Sequence, residues 1–284
     1  MKTLREYIAD AKRGGYAIGH FNISNIEGLH AIVDAARELQ LPVVIGLSEG
    51  EEDAIGIHQA VALVRSFREK ENLPVFLNAD HHYSFERVKA CIDAGFDMVI
   101  YDGAEKSFDE NVVIAKQCVD YARACGREVL VEAEIGFIGQ GSSIKETVPE
   151  GTGTKTTPEE AKQFVDATDV DLLAPAVGSV HGLIKSGKPH IDTERVKEIA
   201  DITGIPLVLH GGSGLRDEDF SGGIAAGIAM VHINTELRVA YTEAVRKMLT
   251  EKPDETTPYK YGNAGKEAMK HVVLARLQLF THHS

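Results

Sequence analysis

The sequence is short of cysteine, of basic charge and of long apolar runs, and each shortage closes off a class of function. Its three cysteines, Cys91, Cys118 and Cys125, are an odd number with no Cys-x-x-Cys spacing, and each falls in a helical pattern. Buried free thiols in a reducing compartment fit this better than a disulfide framework or a cysteine nucleophile. No apolar run is long enough to span a bilayer. Met1-Lys2-Thr3-Leu4-Arg5-Glu6 carries charge where a secretory signal needs an apolar stretch, so a cytoplasmic protein is expected. The formal net charge is −13, spread along the chain and not gathered in a tail. This argues against binding to nucleic acid or anionic membrane, and any anionic substrate must be held locally against the overall field. No Gly-x-Gly-x-x-Gly follows the first apolar run, which weighs against a doubly wound dinucleotide fold. Neither an internal repeat nor a linker divides the 284 residues, a length at which an α/β barrel commonly forms one domain.

What is present is an alternation. Eight apolar runs read as strands: 17–21, 42–47, 74–78, 98–101, 128–134, 172–176, 206–209 and 230–233. Amphipathic segments lie between them, for example 26–39, 85–94, 111–124, 158–167 and 193–202. Near-continuous apolar strands separated by helices mean parallel strands covered on both faces. Eight such units predict a single-domain (β/α)8 barrel of the TIM type over residues 1–284, with an open doubly wound sheet as the alternative. The stretch from Gly136 to Thr157 breaks the alternation: it is rich in Gly, Ser and Thr and follows a strand ending in acidic residues. It reads as a mobile lid over a site. A helical pattern from Ala264 to Phe280 predicts a C-terminal extension, packed on the barrel or against a second subunit.

In a barrel the chemistry sits at the C-terminal strand ends. Val75-Phe76-Leu77-Asn78-Ala79-Asp80-His81-His82 is the most pointed case, an apolar strand that exits on a carboxylate beside two imidazoles. The other exits supply Asn22, Ser48, Asp102, Glu132 and Glu134, then His181, His210 and Asn234. Any one of these is ordinary loop polarity; eight converging on one rim make a site. His81, His181 and His210, from three strand ends, form a three-imidazole metal arrangement with an open fourth position, the pattern of a catalytic zinc. His20, His30, His58, His190 and His271 read as structural. His210-Gly211-Gly212-Ser213-Gly214 places close-approach glycines after the seventh strand, and Asn234-Thr235-Glu236 opens a helix after the eighth. Those two loops are the usual phosphate site of a barrel, with Gly182 beside them and Lys185 placed to add positive charge. Zinc next to a phosphate pocket, with the acid/base carboxylate Asp80 adjoining a ligand, suits carbon–carbon cleavage of a phosphorylated ketose.

These residues together resemble the class II, metal-dependent ketose-bisphosphate aldolases, which include fructose- and tagatose-bisphosphate aldolases. The resemblance runs from Tyr16-Ala17-Ile18-Gly19-His20-Phe21-Asn22 through Ser48-Glu49-Gly50, Asp80-His81, Glu132-Ala133-Glu134-Ile135-Gly136, Gly178-Ser179-Val180-His181-Gly182 and His210–Gly214 to Asn234-Thr235-Glu236-Leu237. It implies that His81, His181 and His210 bind the catalytic zinc and that Asp80 moves the proton of the C4 hydroxyl. Asp102 and Glu134 match positions of a second or displaced metal. Gly182, Gly211, Gly212 and Ser213 would hold the dihydroxyacetone-phosphate end. Asn22, Ser48 and Asn234 would meet the rest of the sugar, Thr235 would bind substrate at the helix start, and Arg238 would meet a distal phosphate. A homodimer or homotetramer is implied as well. Two positions depart from the family pattern. The lid carboxylate that moves the C3 proton is matched by Ser142, with Glu146 and Glu150 as nearby substitutes. The family's Lys-x-Asn on the eighth strand reads Met230-Val231-His232, so His232 replaces a substrate-contacting Asn. The expectation is reversible cleavage of a ketose 1,6-bisphosphate, fructose 1,6-bisphosphate first. The alternatives are tagatose 1,6-bisphosphate, another ketose 1-phosphate with a different distal group, a non-catalytic aldolase-like subunit and, last, a zinc hydrolase.

Overall fold

The apolar runs become strands that close on themselves. In the computed structural model, which describes residues 1–139, 141, 143–148, 152, 154–187 and 189–281, ten strands form: β1 (Ile18–Asn22), β2 (Val43–Leu47), β3 (Val75–His82), β4 (Met98–Asp102), β5 (Leu130–Ile135), β6 (Ile144–Thr147), β7 (Leu172–Pro175), β8 (Leu183–Ser186), β9 (Leu207–Leu209) and β10 (Ile228–Ile233). Eight of them make a closed barrel in the order β1-β10-β9-β7-β5-β4-β3-β2, every pair parallel. These are the eight strands expected, with ends shifted by a few residues, and the open-sheet alternative is excluded by closure. The remaining two, β6 and β8, pair in parallel as a separate small sheet that the sequence pattern did not suggest.

Eleven helices are described: α1 (Leu4–Gly14), α2 (Ile26–Leu39), α3 (Glu49–Ile55), α4 (Ile57–Glu71), α5 (Phe85–Ala94), α6 (Phe108–Ala124), α7 (Pro158–Thr168), α8 (Thr193–Thr203), α9 (Asp217–Ala226), α10 (Thr235–Glu251) and α11 (Pro258–Thr281). Their starts are marked locally. Thr3, Ser107 and Thr157 each accept from the third helical N–H while Glu6, Glu110 and Glu160 reach back, a reciprocal cap worth about 1 kcal/mol. Among the described residues no helix is long and apolar enough to cross a membrane. The cysteines are free, with Cys91 and Cys118 buried and Cys125 half-buried.

Strand side chains alternate between faces, and the alternation sorts the barrel into two compartments. Val43, Ile45, Leu47, Val75, Leu77 and Ala79 point outward into the layer shared with the helices. Inward residues Ile18, Val44, Phe76, Met98, Leu130, Leu172, Val208 and Met230 fill the lower interior, where Leu4, Ile8 and Ala11 of α1 plug the barrel floor. One step up the same faces, polarity begins with His20, Asn78, Glu132 and His232, all buried. The barrel is thus apolar at the bottom and polar towards the C-terminal rim.

The C-terminal helix α11 starts at Pro258, earlier than the sequence pattern suggested, and lies on the outside of the barrel between α2 and α10. Its Met269, Val273, Leu277 and Phe280 are buried. Phe280 carbonyl accepts from Ala17 N at 3.0 Å, so α11 ends against the start of β1. Replacing Phe280 by Ala is expected to cost about 3–5 kcal/mol, as buried aromatic truncations do. This is read as a lower urea midpoint with unchanged m, and an unchanged midpoint would show that α11 is not part of the cooperative unit.

Candidate active site

The site begins with a break in the strand pleat. Successive residues of a regular strand face opposite ways, so Asp80 and His81 could not both point inward. The β3–β4 register shifts between Ala79 and His82, and His81 adopts φ of 54°, a left-handed backbone uncommon for a residue with a side chain. This bulge turns His81 to the same side as Asp80. His181 is set by the segment after β5. Its N–H donates to Ile138 carbonyl at 3.0 Å, and Nδ1 donates to Gly139 carbonyl at 2.6 Å. His210 follows β9, with Nε2 donating to Glu132 Oε1 at 2.7 Å.

The three imidazoles expected to gather do so. Ring centroids are 4.6 Å apart for His81 and His210, 4.8 Å for His81 and His181, and 5.8 Å for His181 and His210. One ligand atom from each, with a Glu134 oxygen, lies within 4.8 Å of the others. His81 Nδ1 donates to Asp102 Oδ2 at 2.8 Å. Each ring therefore has one nitrogen held by an oxygen and the other free to ligate, which is how metal-binding histidines are oriented. His210 Nδ1 faces Glu134 Oε2 at 2.9 Å, yet both buried atoms lack a hydrogen bond. Both are lone-pair atoms of the kind a divalent cation takes as ligands, so the residues present fit such an ion.

The electrostatics agree. Burial works against charge on His81, but Asp80 and Asp102 outweigh it and push that imidazole up to about 9. Burial opposes charge on His210 too, and Glu132 and Glu134 still hold it well above the ordinary histidine value. Burial, with His81 and His210 alongside, takes His181 down to about 3. Burial raises Glu132 and Glu134. Burial also works against Asp80, yet His81, His232 and His20 keep its carboxyl well below the usual range. Asp80, Asp102, Glu132 and Glu134 together concentrate a demand for positive charge that a divalent ion meets with the imidazoles neutral.

Two clefts open from this cluster. The inner one is lined by Asn22, Asp80, His81, His181, Gly182, Gly211, Gly212, Ser213, His232, Asn234 and Thr235, nearly the whole expected phosphate set. Gly211 has φ of 64°, and a Cβ there would meet the Val180 backbone at 2.7–2.9 Å. Gly182 has φ of 98°, and a Cβ there would collide with Ser143 carbonyl. Thr235 opens α10, whose N-terminus favours an anion. The outer cleft is lined by Ser24, Ser48, Glu51, Asp80, His81, Tyr83, Asp102, Glu105, Glu134, Phe137, His181, Asn234 and Arg238, among others.

Not every expected residue converges. Lys185, on β8, pairs with Glu146 at 2.7 Å on the exposed face of the small sheet and lines neither cleft. Glu146 lines neither cleft either. Ser142 and Glu150 lie outside the described residues. Ser48 serves as the N-cap of α3 and donates to Glu51 Oε2 at 2.9 Å. Residues that sequence reasoning passed over are Glu51, which also accepts from Asn22 Nδ2 at 2.9 Å, Tyr83 and Phe137 at the mouth, and His20, buried under His232. Tyr83 alone carried a signal, standing two residues after His81.

Asp102→Ala, by freeing His81 to reorient, is expected to weaken metal affinity about 10- to 100-fold, read by competition against a chromophoric chelator. Unchanged affinity would show that Asp102 does not orient the ring.

A family model described as "Fructose-bisphosphate aldolase class-II" matches residues 2–284. A fructose-bisphosphate aldolase from Geobacillus stearothermophilus is 41% identical over 281 residues, 98% of this chain and 96% of that protein. A probable fructose-bisphosphate aldolase from Bacillus subtilis strain 168 is 39% identical over the same shares. The crystal structure of the YdjI aldolase from Escherichia coli K12 superposes with a TM-score of 0.84 at 31% identity, covering 98% of this chain and 96% of that one. Barrel, rim and match along its whole length agree: this chain belongs to the class-II fructose-bisphosphate aldolase family.

Proposed function

We propose that the protein cleaves fructose 1,6-bisphosphate reversibly to dihydroxyacetone phosphate and an aldehyde phosphate, with zinc at His81, His181 and His210. The observation that supports this most is Asp80, a buried carboxylate beside the three-imidazole cluster and open to both clefts. The ion, when bound, polarises the ketose carbonyl and so favours negative charge on the carbon next to it.

The remaining work belongs to side chains. Backbone N–H groups around Gly182, Gly211, Gly212 and Ser213, with the α10 N-terminus, bind the C1 phosphate. Asn22 donates to Asp80 Oδ2 at 2.8 Å, which orients the carboxylate towards the sugar. In cleavage Asp80 takes the proton of the C4 hydroxyl. The C3–C4 bond breaks, C4 leaves as the aldehyde, and the bonding pair stays on C3, which then takes a proton from water to complete dihydroxyacetone phosphate. In condensation Asp80 returns the proton to the aldehyde oxygen. Ser48, Asn234 and Arg238 receive the distal half. A lid role for the segment 136–157, of which 140, 142, 149–151 and 153 lie outside the described residues, and self-association as a homodimer or homotetramer accompany this reading.

A second substrate reading has an observation of its own. Arg238 is the one lysine or arginine among the described residues lining the outer cleft, which also carries Glu51 and Glu105. A ketose 1-phosphate with an uncharged distal end suits such a lining, and the C4-epimeric tagatose 1,6-bisphosphate is a further substrate to compare.

Three outcomes are expected. Asp80→Asn lowers the cleavage rate by about 10²- to 10⁴-fold, the span of a general acid–base group, with bound metal retained. A strong chelator abolishes cleavage and Zn²⁺ restores it; chelator-resistant cleavage would overturn the metal-dependent reading. Arg238→Ala raises KM for the bisphosphate far more than for fructose 1-phosphate. Equal effects on both would move the assignment to the ketose 1-phosphate.

A further inference from the structure

His232 stands where the family resemblance places a substrate-contacting Asn, and it lines the phosphate cleft. Its surroundings point to another task. β1 and β10 are neighbours, and His20 is the register partner of His232, so the two rings stack at 3.5 Å and 4°. The other side of His232 meets His210 at 4.4 Å and 25°. Both ring faces are therefore covered, and the residue is 7% exposed. Polar contact is left only in the ring plane.

In that plane each nitrogen looks at a carboxylate oxygen. Nδ1 is 3.3 Å from Asp80 Oδ1, and Nε2 is 4.0 Å from Glu132 Oε2. All four atoms are buried and none has a hydrogen bond. Buried polar atoms of this kind are normally paired, and the nearer pair needs only a small ring rotation to align. Asp80 has its other oxygen, Oδ2, already fixed by Asn22 of β1 at 2.8 Å. A single donor leaves a carboxylate free to swing about that bond. A second donor on the second oxygen sets its plane.

We propose that His232 is a positioning residue: clamped between His20 and His210, its Nδ1–H holds Asp80 Oδ1 and, with Asn22, sets the plane in which Asp80 meets the C4 hydroxyl. The proposal rests on the aldolase reading above. It separates His232 from the substrate contact expected of the Asn it replaces. His20 becomes the support of His232, its Nε2 accepting from Asn78 Nδ2 at 3.0 Å.

The experiment compares His232→Asn with His232→Gln, since the Asn amide falls near Nδ1 and the Gln amide near Nε2. His232→Leu serves as the donor-free control. Measured for each are kcat, KM, the inhibition constant of dihydroxyacetone phosphate, bound metal per chain and the thermal midpoint. His232→Asn is expected to keep kcat within about threefold of wild type, while His232→Gln and, where it folds, His232→Leu lose about 10- to 100-fold, in line with a displaced acid–base group. Metal content and the inhibition constant stay unchanged. An inhibition constant that rises at constant kcat would return His232 to phosphate binding and overturn the proposal. Equal losses in Asn and Gln would assign the effect to the ring stack and overturn it likewise. A readout free of turnover accompanies these: ¹⁵N NMR of the His232 imidazole is expected to show the Nδ1–H tautomer, with its shift altered in Asp80→Asn. An Nε2–H tautomer sinks the proposal whatever the activity, whereas a wild type inert towards every ketose phosphate, with the Nδ1–H tautomer present, sinks the aldolase reading alone.

Discussion

The site depends on one irregularity, the place where β3 stops behaving as a strand. A pleated strand offers every second side chain to the barrel interior, and Asp80 takes the last inward position before the rim. The bulge and the left-handed backbone of His81 add a second inward side chain at the next residue. A carboxylate and an imidazole thus arrive on adjacent residues with no loop between them. Strain of this kind is held by its surroundings, and here the surroundings are Asp102 on the ring nitrogen of His81 and Asn22 on the carboxylate of Asp80.

Above the apolar floor, the barrel interior is a layer of charge that no apolar core could tolerate unpaired. Imidazoles gather on one side and carboxylates on the other: His210 after β9, His232 on β10 and His20 on β1, and Asp102, Glu132 and Glu134 on β4 and β5, with Asp80 and His81 of β3 between. Register sets which groups lie side by side: Asp102 and Glu134 are direct neighbours across β4 and β5, and His20 and His232 across β1 and β10. Closing the barrel therefore assembles the site, because the ladder that closes the sheet brings His20 under His232 and sets the carboxylates of β4 and β5 side by side within reach of His81 and His210. The small sheet of β6 and β8 ties the segment after β5 to the loop that carries His181, where Lys145 Nζ also donates to His181 carbonyl at 2.7 Å.

Much of this was legible in the residues. Strands buried on both faces leave continuous apolar runs, so all eight barrel strands and their polar exits could be read directly. Asp80, His81, His181, His210 and the glycines after β9 followed once a barrel was assumed. The illegible parts share a cause. β6 and β8 are short and half or fully exposed, and their pairing is made by backbone groups that carry no side-chain signature. Lys185 looked suited to a phosphate because it follows His181-Gly182, but β8 carries it out to Glu146. His20 looked structural because a histidine inside an apolar run usually is; its contact with His232 spans the β1–β10 seam, which no local pattern reports. The meaning of His232 depended on ring planes, which sequence does not encode.

The placement of α11 bears on the order in which the chain can fold. Its Leu277 and Phe280 pack into the layer that also holds Phe21, and Phe280 carbonyl closes on Ala17 N. The seam between β1 and β10, and the helix covering it, thus join segments near opposite ends of the sequence. Contacts of such separation form late and slowly. During synthesis β1 must wait with one unpaired edge until β10 is made, and with an uncovered face until α11 follows. The half-made barrel is therefore the species most exposed to edge-to-edge aggregation.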